Sequence, residues 1–263
     1  MFYHSFSFSF LLVQYAFCLF MHSRCTTEPG PVKRAVSEAS PPVAMTYSTS
    51  EAVLLGKFDP ANHPDFEAVK KPYTDRPDMW MQRKAFAAYQ QMYEAAQKDG
   101  IVLKIISSTR TFSQQKVIWE RKWERFASET PDPAARAAKI LEYSSMPGTS
   151  RHHWGTDIDL NDLNNPAFEP GGRYSKVYEW LTAHAYEYGF CQPYSQKNEE
   201  RPAGYNEERW HWSYTPLSKP FLKQYREIFN DNSIEGFKGS ETARSLQVVK
   251  NYVCGIRAAC AND

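Results

Sequence analysis

The chain has 263 residues, a length that suits one domain with extensions or two small domains. With 42% hydrophobic residues it can bury a substantial core. The formal net charge of +1 and the lack of a run of basic residues argue against nucleic-acid binding, because that function needs a basic stripe facing the phosphates.

Residues 1–22 are interpreted as a signal peptide or an N-terminal anchor. Positions 10–21 are nearly all apolar and have the length of the hydrophobic region of a signal peptide, which is short for a membrane span. The region before them departs from the usual pattern, because it carries His4 but no Lys or Arg. Arg24 before Cys25 fits a lipoprotein signal poorly. The segment predicts export to the periplasm or cell envelope and leaves membrane attachment open.

Three further regions follow along the chain. Residues 23–52 are rich in Ser, Thr, Pro and Glu without an apolar period, which predicts a flexible linker. We assign the folded domain to residues 53–230 and a C-terminal extension to residues 231–263. The apolar stretch 248–256 of this extension either packs on the domain or meets a partner, and the sequence does not choose between the two.

Helices are predicted where apolar residues recur at spacings of three and four, and strands where short β-branched or alternating runs occur. In chain order the predicted elements are a helix over 78–98, a strand over 101–106, helices over 112–126 and 134–143, a strand over 156–160, a helix over 175–188, a strand over 210–214 and a helix over 216–229. This order predicts an α+β fold, a single compact domain with a small, mostly antiparallel sheet flanked by helices.

The five cysteines argue against a structural thiolate zinc site, because none of them forms a C-x-x-C pair. Cys254 and Cys260 lie close in sequence, and they either form a disulfide in an oxidising compartment or remain free thiols. Cys191 is interpreted as a buried residue rather than a nucleophile.

Two short segments contain the residues that a catalytic metal site requires. They read SRHHWGTDID at 150–159 and ERWHW at 208–212. A catalytic zinc takes three ligands from His, Asp or Glu and leaves a fourth position for water. A nearby carboxylate that is not a ligand then accepts the proton of that water.

His152 and Asp159 supply two ligands if Gly155 turns the chain back between them. His211 supplies the third ligand from a different strand, and Glu208 just before it reaches the bound water. Taken singly, a His is more often a packed or surface residue, and an Asp is more often a cap or a turn residue. The joint pattern, with these spacings, favours a metal site.

The motifs resemble those of the VanY-type zinc D-alanyl-D-alanine carboxypeptidases. The family's first motif, Ser-x-His-x-x-Gly-x-x-x-Asp, is matched by Ser150, His152, Gly155 and Asp159. Its second motif, Glu-x-x-His followed by an aromatic residue, is matched by Glu208, His211 and Trp212. An Arg-Ser-aromatic-x-x-Gln motif of many members is matched from Arg110 to Gln115, with Thr111 in place of Ser. The motifs keep the family's order, and the resemblance spans residues 53–229.

The resemblance implies one zinc ion in a central cleft, bound by His152, Asp159 and His211, with Glu208 as catalytic base and then acid. It implies hydrolysis of the C-terminal D-Ala-D-Ala bond of peptidoglycan stem peptides. A related D,D-dipeptidase, L,D-carboxypeptidase or cell-wall endopeptidase is the alternative among enzymes. A peptidoglycan-binding module that contains zinc without catalysis, and a structural envelope protein without metal, are the alternatives among non-enzymes. The sequence does not indicate the oligomeric state.

The resemblance also implies roles for residues around the metal. Arg110 faces the substrate and steadies either its carboxylate or the developing oxyanion, since a fixed guanidinium suits both tasks. Gln115 and Ser150 are implied to hydrogen-bond the peptide. Trp154, on the loop between the two ligands of the first motif, is predicted to line the cleft.

Residues next to the motifs are interpreted separately. Asp157 stands where many members have Ala, and it either orients His152 or His153 or competes for the metal. His153 is predicted to line the site rather than to bind metal. Trp210 and Trp212 point away from the third ligand on their strand, which predicts core packing.

Overall fold

The computed structural model describes residues 47–261. The predicted signal peptide or anchor and residues 23–46 of the predicted linker lie outside the described residues. Within 47–261, no helix combines the length and the apolar character needed to cross a membrane.

The strands of this region form two antiparallel sheets. They are β1 (Phe66–Val69), β2 (Met79–Gln82), β3 (Ile105–Ser107), β4 (Asp157–Leu160), β5 (Phe190–Cys191) and β6 (His211–Tyr214). β1 pairs with β2, and the other four strands form a sheet in the order β3-β4-β6-β5. The predicted small antiparallel sheet is thus confirmed, and the two-stranded sheet is an addition to it.

The register of the four-stranded sheet brings residues together that are distant in sequence. Asp159 on β4 lies opposite Ser107 on β3 and opposite His211 on β6. Asp157 lies opposite Ser213 on β6. Directly opposed residues of an antiparallel pair have Cβ atoms about 4.5–5.5 Å apart. Two of the predicted metal ligands are therefore cross-strand neighbours.

Helices flank the sheet, as the sequence predicts. They are α1 (Glu51–Leu54), α2 (Arg83–Lys98), α3 (Phe112–Arg125), α4 (Pro133–Ile140), α5 (Ser175–His184), α6 (Thr215–Ile228), α7 (Ala243–Leu246) and α8 (Ala258–Ala261). Apolar residues of α2 and α5 share a core with those of the sheet. Trp210 and Trp212 are buried in this core, which confirms their predicted packing role. A second core contains residues of α3, α4 and α6.

The first predicted helix and the first predicted strand have different bounds in the structure. The helix predicted over 78–98 begins at Arg83, because residues 79–82 pair with β1 as a strand. A segment this short fits both the helical and the strand period, so its sequence does not separate them. The strand predicted over 101–106 is confined to Ile105–Ser107, the part that pairs with β4.

The C-terminal extension, described as far as residue 261, packs on the domain. Val248, Val253 and Ile256 of its apolar stretch are buried in the same core as Trp119 on α3. Of the two alternatives for this stretch, packing on the domain or contact with a partner, the structure shows packing on the domain.

A disulfide fastens the end of this extension to the sheet. It joins Cys191, on β5, to Cys260, on α8, with the two Cα atoms 5.7 Å apart. The pairing of Cys254 with Cys260 is therefore wrong, and Cys254 is a free thiol. The interpretation of Cys191 as a buried unpaired residue is also wrong. Proximity in sequence suggested the first pair, whereas the tertiary fold brings Cys260 to within disulfide distance of Cys191 across 69 residues of sequence.

Candidate active site

The loop that precedes β4 turns sharply and returns the chain to the sheet. A 3₁₀ helix, Arg151–Trp154, ends at Gly155, whose φ of 71° lies in the left-handed region. A Cβ atom at this position would overlap the ring of Phe66, so both the backbone angle and the available space require glycine. The turn brings the side chains of His152 and Asp159 together, as the sequence predicts.

His152, Asp159 and His211 converge into a cluster of potential metal ligands. One ligand atom from each residue lies within 4.8 Å of the other two. His152 Nε2 is 3.4 Å from Asp159 Oδ2, and His211 Nδ1 is 3.0 Å from Asp159 Oδ1. All three side chains are buried. A catalytic zinc ion is typically bound by three such protein ligands, and two imidazoles with one carboxylate meet this requirement.

The outer nitrogen of each imidazole is hydrogen-bonded away from the cluster. His152 Nδ1 lies 2.8 Å from the backbone oxygen of Ser108, and a carbonyl oxygen only accepts, so this nitrogen carries the proton. His211 Nε2 lies 2.9 Å from Oδ1 of Asp157 and donates to it. When both rings are neutral, each therefore directs an unprotonated nitrogen toward the cluster.

The cluster stabilises positive charge. Burial disfavours the protonated form of His211, but its hydrogen bonds to Asp157 and Asp159 outweigh burial and raise the pKa of His211 to about 9. Burial also opposes ionisation of Asp159, and the neighbouring His152 and His211 overcome it and hold the pKa of this carboxyl well below its usual value. Surroundings that retain a proton on a buried imidazole also suit a cation at the same point. Both the donor set and its charge fit a divalent metal.

Asp157 is held by four hydrogen-bond donors. Its Oδ1 accepts from Arg151 Nε at 2.9 Å and from His211 Nε2 at 2.9 Å. Its Oδ2 accepts from Thr156 Oγ1 at 2.6 Å and from Ser213 Oγ at 3.0 Å. The carboxylate is fully buried, so these donors replace its water.

This arrangement corrects both expectations for Asp157. It orients neither His152 nor His153, whose Nδ1 atoms contact backbone oxygens, but His211. It does not compete for the metal, because its oxygens are engaged and it lies outside the ligand cluster. The register of β4 against β6 sets this partnership, across 54 residues of sequence.

Replacing Asp157 with Ala is expected to lower the free energy of unfolding by about 3–5 kcal/mol, because it leaves a buried guanidinium without its carboxylate. Arg151 is 1% exposed, and its Nε forms the ion pair with Asp157 at 2.9 Å. Urea denaturation measures the change.

The double variant Arg151→Met, Asp157→Ala is the matched control, since it removes both charges. We expect it to be more stable than Asp157→Ala by about 2 kcal/mol. Equal stability of the single and double variants would show that the unpaired guanidinium does not account for the loss.

Glu208 lies next to the cluster without joining it. Its Oε2 is 3.5 Å from His211 Nδ1, and the residue is 7% exposed. The backbone N–H of Glu208 donates to the oxygen of Tyr194 at 2.9 Å, and its carbonyl accepts from Gln192 Nε2 at 3.1 Å, so the loop before β6 holds it. Burial raises the pKa of Glu208 to about 8, against the opposing effect of His211. Such a carboxyl is suited to accept a proton and to return it.

Arg110 is held in place by Gln115. Arg110 Nη1 donates to Gln115 Oε1 at 2.9 Å, and Gln115 Nε2 donates to the backbone oxygen of Ser145 at 2.8 Å. Gln115 is 0% exposed, with both ends of its amide occupied. α3 turns this side chain inward, where it fixes Arg110, and the hydrogen bond from Gln115 to the peptide stays a prediction.

Six buried side-chain polar atoms within residues 47–261 lack a hydrogen-bond partner. Two of them belong to predicted substrate-contacting residues, Nε of Arg110 and Oγ of Ser150. Buried polar groups without partners are rare in native proteins, and a ligand or a water is the usual explanation. The two atoms are thus compatible with the substrate contacts predicted for Arg110 and Ser150.

Trp154 and His153 do not line the cleft, contrary to prediction. Trp154 is 0% exposed, its Nε1 donates to the backbone oxygen of Leu54 at 3.2 Å, and its ring packs near Tyr225. His153 is also fully buried, and its Nδ1 lies 2.6 Å from the backbone oxygen of Arg110. The 3₁₀ helix directs both rings into the core, so they support the loop rather than the substrate.

A cleft of about 570 Å³ opens beside the cluster, a size that suits a small ligand or the end of a peptide. Its charged lining residues are Arg110, Arg121, Lys122, Asp159 and Glu208. Its apolar lining includes Ile118, Tyr143, Leu163 and Trp210.

Sequence reasoning missed the residues that surround Asp157 and several polar residues of the cleft, among them Lys122 and Ser144. A signal for Lys122 was present, because it lies two helical turns after Gln115 and so on the same face of the predicted helix. Ser144 carried no such signal, since it lies in an irregular segment that follows α4.

The fold and the site define an α+β protein with a buried His–Asp–His ligand cluster and a separate buried glutamate beside it. A family model described as "VanY: D-alanyl-D-alanine carboxypeptidase" matches residues 78–217, which is more than half of the chain. The chain belongs to this family, and the matched region contains every residue of the cluster as well as Arg110 and Glu208.

Similar proteins include the putative carboxypeptidase YodJ of Bacillus subtilis, 27% identical over 199 residues, which cover 74% of this chain and 66% of that protein. A D-alanyl-D-alanine carboxypeptidase of Enterococcus faecalis is 29% identical over 128 residues, covering 49% of this chain and 46% of that protein. The match thus spans less than two thirds of either relative. Among solved structures, VanYB in complex with D-Alanine-D-Alanine has a TM-score of 0.46 and 23% identity, covering 62% of this chain and 82% of that one.

Proposed function

We propose that the protein is a zinc-dependent D-alanyl-D-alanine carboxypeptidase that hydrolyses the C-terminal D-Ala-D-Ala bond of peptidoglycan stem peptides. The proposal is carried by one observation, the convergence of His152, Asp159 and His211 with Glu208 only 3.5 Å from the nearest ligand ring. Membership of the VanY family supports the reaction class, and the adjoining cleft leaves room for a peptide end.

One zinc ion would be held by His152 Nε2, a carboxylate oxygen of Asp159 and His211 Nδ1, the atoms that face one another in the cluster. When bound, zinc supplies a Lewis acid for the scissile carbonyl and lowers the pKa of a bound water. Ser108 and Asp157 hold the outer nitrogens of the two rings and so maintain the orientation of the ligands.

Glu208 moves the proton in this mechanism. Its carboxylate accepts a proton from the attacking water as the new C–O bond forms, and it donates that proton to the nitrogen of the leaving D-alanine as the C–N bond breaks. Burial raises the pKa of Glu208 to about 8, so near neutral pH this carboxyl retains the proton it has accepted until the leaving nitrogen takes it.

Arg110 supplies a fixed positive charge. Gln115 holds one end of its guanidinium, and the remaining N–H groups are left for the substrate carboxylate or for the oxyanion that develops during attack. The buried hydroxyl of Ser150 supplies a further hydrogen bond to the peptide.

The proposed substrate lies outside the cytoplasm, in the periplasm or cell envelope. The apolar positions 10–21 support export through a signal peptide or an anchor. The disulfide between Cys191 and Cys260 fits an oxidising compartment.

The compact unit of residues 45–263 is expected to release a single D-alanine from a muramyl-type pentapeptide that ends in D-Ala-D-Ala. A zinc chelator should abolish the release, and added zinc should restore it, because the three ligands and the water activation depend on the same ion. Released D-alanine is measured with and without the chelator.

The corresponding tetrapeptide, which lacks the last D-alanine, is the control and should release nothing. Cleavage of the tetrapeptide alone would indicate an L,D-carboxypeptidase instead. No release from either peptide by protein that contains one zinc per chain would overturn the proposal and favour a binding module.

A further inference from the structure

Lys122 is a cation in the cleft without an acidic partner. It lies on α3 and lines the same cleft as Arg110 and Glu208, and its Nζ is 2.5 Å from Oγ of Ser144. Among residues 47–261, no Asp or Glu forms an ion pair with Lys122, in contrast to Lys116 on the same helix, which pairs with Glu120.

The position of Lys122 is costly without a counter-ion. Its side chain is partly buried, and burial lowers the pKa of Lys122 below its usual value, with only partial compensation by the charge of Glu208. A lysine without a binding role normally keeps its ammonium in water. The ammonium has three N–H donors, and Ser144 takes one of them, so donors remain for an anion.

The two carboxylates of the cleft do not neutralise this charge. Asp159 contacts the rings of His152 and His211 at 3.4 and 3.0 Å, and the nearest such contact of Glu208 is His211 at 3.5 Å. The carboxylates of Asp159 and Glu208 therefore lie against the histidine rings of the ligand cluster and form no ion pair with Lys122. Arg110, Arg121 and Lys122 are the cations of the cleft wall, and none of them has an ion-pair partner among the described residues. Arg121 is exposed to solvent, whereas Arg110 and Lys122 are partly buried.

The chemistry of the leaving group indicates which anion would approach these cations. Glu208 donates its proton to the leaving nitrogen, and in a C-terminal residue the carboxylate is joined to that nitrogen through the single Cα atom. The carboxylate of a free C-terminus is thus the charged group of the substrate that lies closest to Glu208. The charge of Glu208 also raises the pKa of Lys122, so these two side chains interact. In an amidated or extended peptide this position is neutral.

We infer that Lys122 is a specificity-determining residue that binds the free C-terminal carboxylate of the substrate together with Arg110, and so makes the enzyme select peptides with a free acid over amidated or extended ones. The inference rests on the proposed function and names the group of the substrate that this part of the site recognises.

The test compares the pentapeptide acid with the same peptide as its C-terminal amide, using the zinc-loaded full chain. In Lys122→Met, KM for the acid is expected to rise about 10- to 100-fold, since a hydrogen-bonded ion pair to the substrate is lost, while kcat changes little. Hydrolysis of the amide should be unaffected, so the preference for the acid falls by the same factor.

Two variants control for structural effects. Lys122→Arg keeps the charge and should recover most of the preference for the acid. Lys116→Met removes another lysine of α3, one that bonds to the backbone oxygen of Gly236, and should leave the preference unchanged.

An unchanged acid preference in Lys122→Met would overturn the inference. Equal loss of activity toward the acid and the amide would also overturn it, because Lys122 would then only support the fold around Ser144. If the unmodified chain cleaves neither peptide, the proposed function fails instead. Calorimetric titration with the two peptides then tests Lys122 separately. Its role is supported only if the acid binds more tightly than the amide and Lys122→Met abolishes that difference.

Discussion

Replacing Glu208 with Gln is expected to lower kcat for D-alanine release by about 10²- to 10⁴-fold while zinc still binds. The amide has nearly the same shape as the carboxylate but cannot accept a proton from water. Glu208 lies 3.5 Å from His211 and outside the ligand cluster, so the loss should leave the metal in place. Turnover and zinc content are measured on the same preparation.

Glu207→Gln is the matched control. Glu207 is the preceding residue and pairs with Arg209 at 3.3 Å, away from the cluster, so its replacement should leave kcat nearly unchanged. A near-normal rate in Glu208→Gln would remove the proposed base from the mechanism. Loss of zinc in Glu208→Gln would instead show that this residue is a ligand.

Replacing His211 with Ala is expected to weaken zinc binding by more than about 100-fold, a larger loss than removal of an outer hydrogen bond to a ligand causes. The substitution removes one of the three proposed ligands. It also removes the ring that bridges Asp157 and Asp159, whose carboxylates it contacts at 2.9 and 3.0 Å. Competition with a chelator of known affinity measures the change. Catalysis should be lost with the metal.

His184→Ala is the control, because His184 is an exposed histidine of α5 that contacts only Glu187 among the described side chains at hydrogen-bond distance. It should bind zinc as the unmodified protein does. Circular dichroism of His211→Ala is needed beside the titration, since loss of the fold would also lose the metal. A folded His211→Ala protein with an undiminished zinc affinity would contradict the ligand assignment.

The candidate metal ligands can be predicted from sequence because each of the two segments that contain them has a recognisable local geometry. Gly155 permits the turn that returns His152 toward Asp159, and the backbone angle and contacts of that glycine are local. Glu208 and His211 belong to one short segment, so their proximity follows from the chain itself. Helices and the small sheet follow likewise from the periods of apolar residues.

The partners of these residues could not be predicted, because they come from elsewhere in the chain. Asp157 contacts His211 rather than the adjacent histidines, since the register of β4 against β6 determines which side chains oppose each other. Cys191 pairs with Cys260 across 69 residues because the C-terminal extension folds back onto the domain.

Sequence by itself thus determined the fold class, the family motifs and the identity of the potential metal ligands. Only the tertiary structure decided which neighbouring residues face the cleft. Trp154 and Gln115 stand within the motifs but are buried, whereas Lys122 stands outside them and lines the cleft. The physical reason is that periodicity and turn residues report on contacts between near neighbours, whereas burial depends on how separate helices and strands pack together.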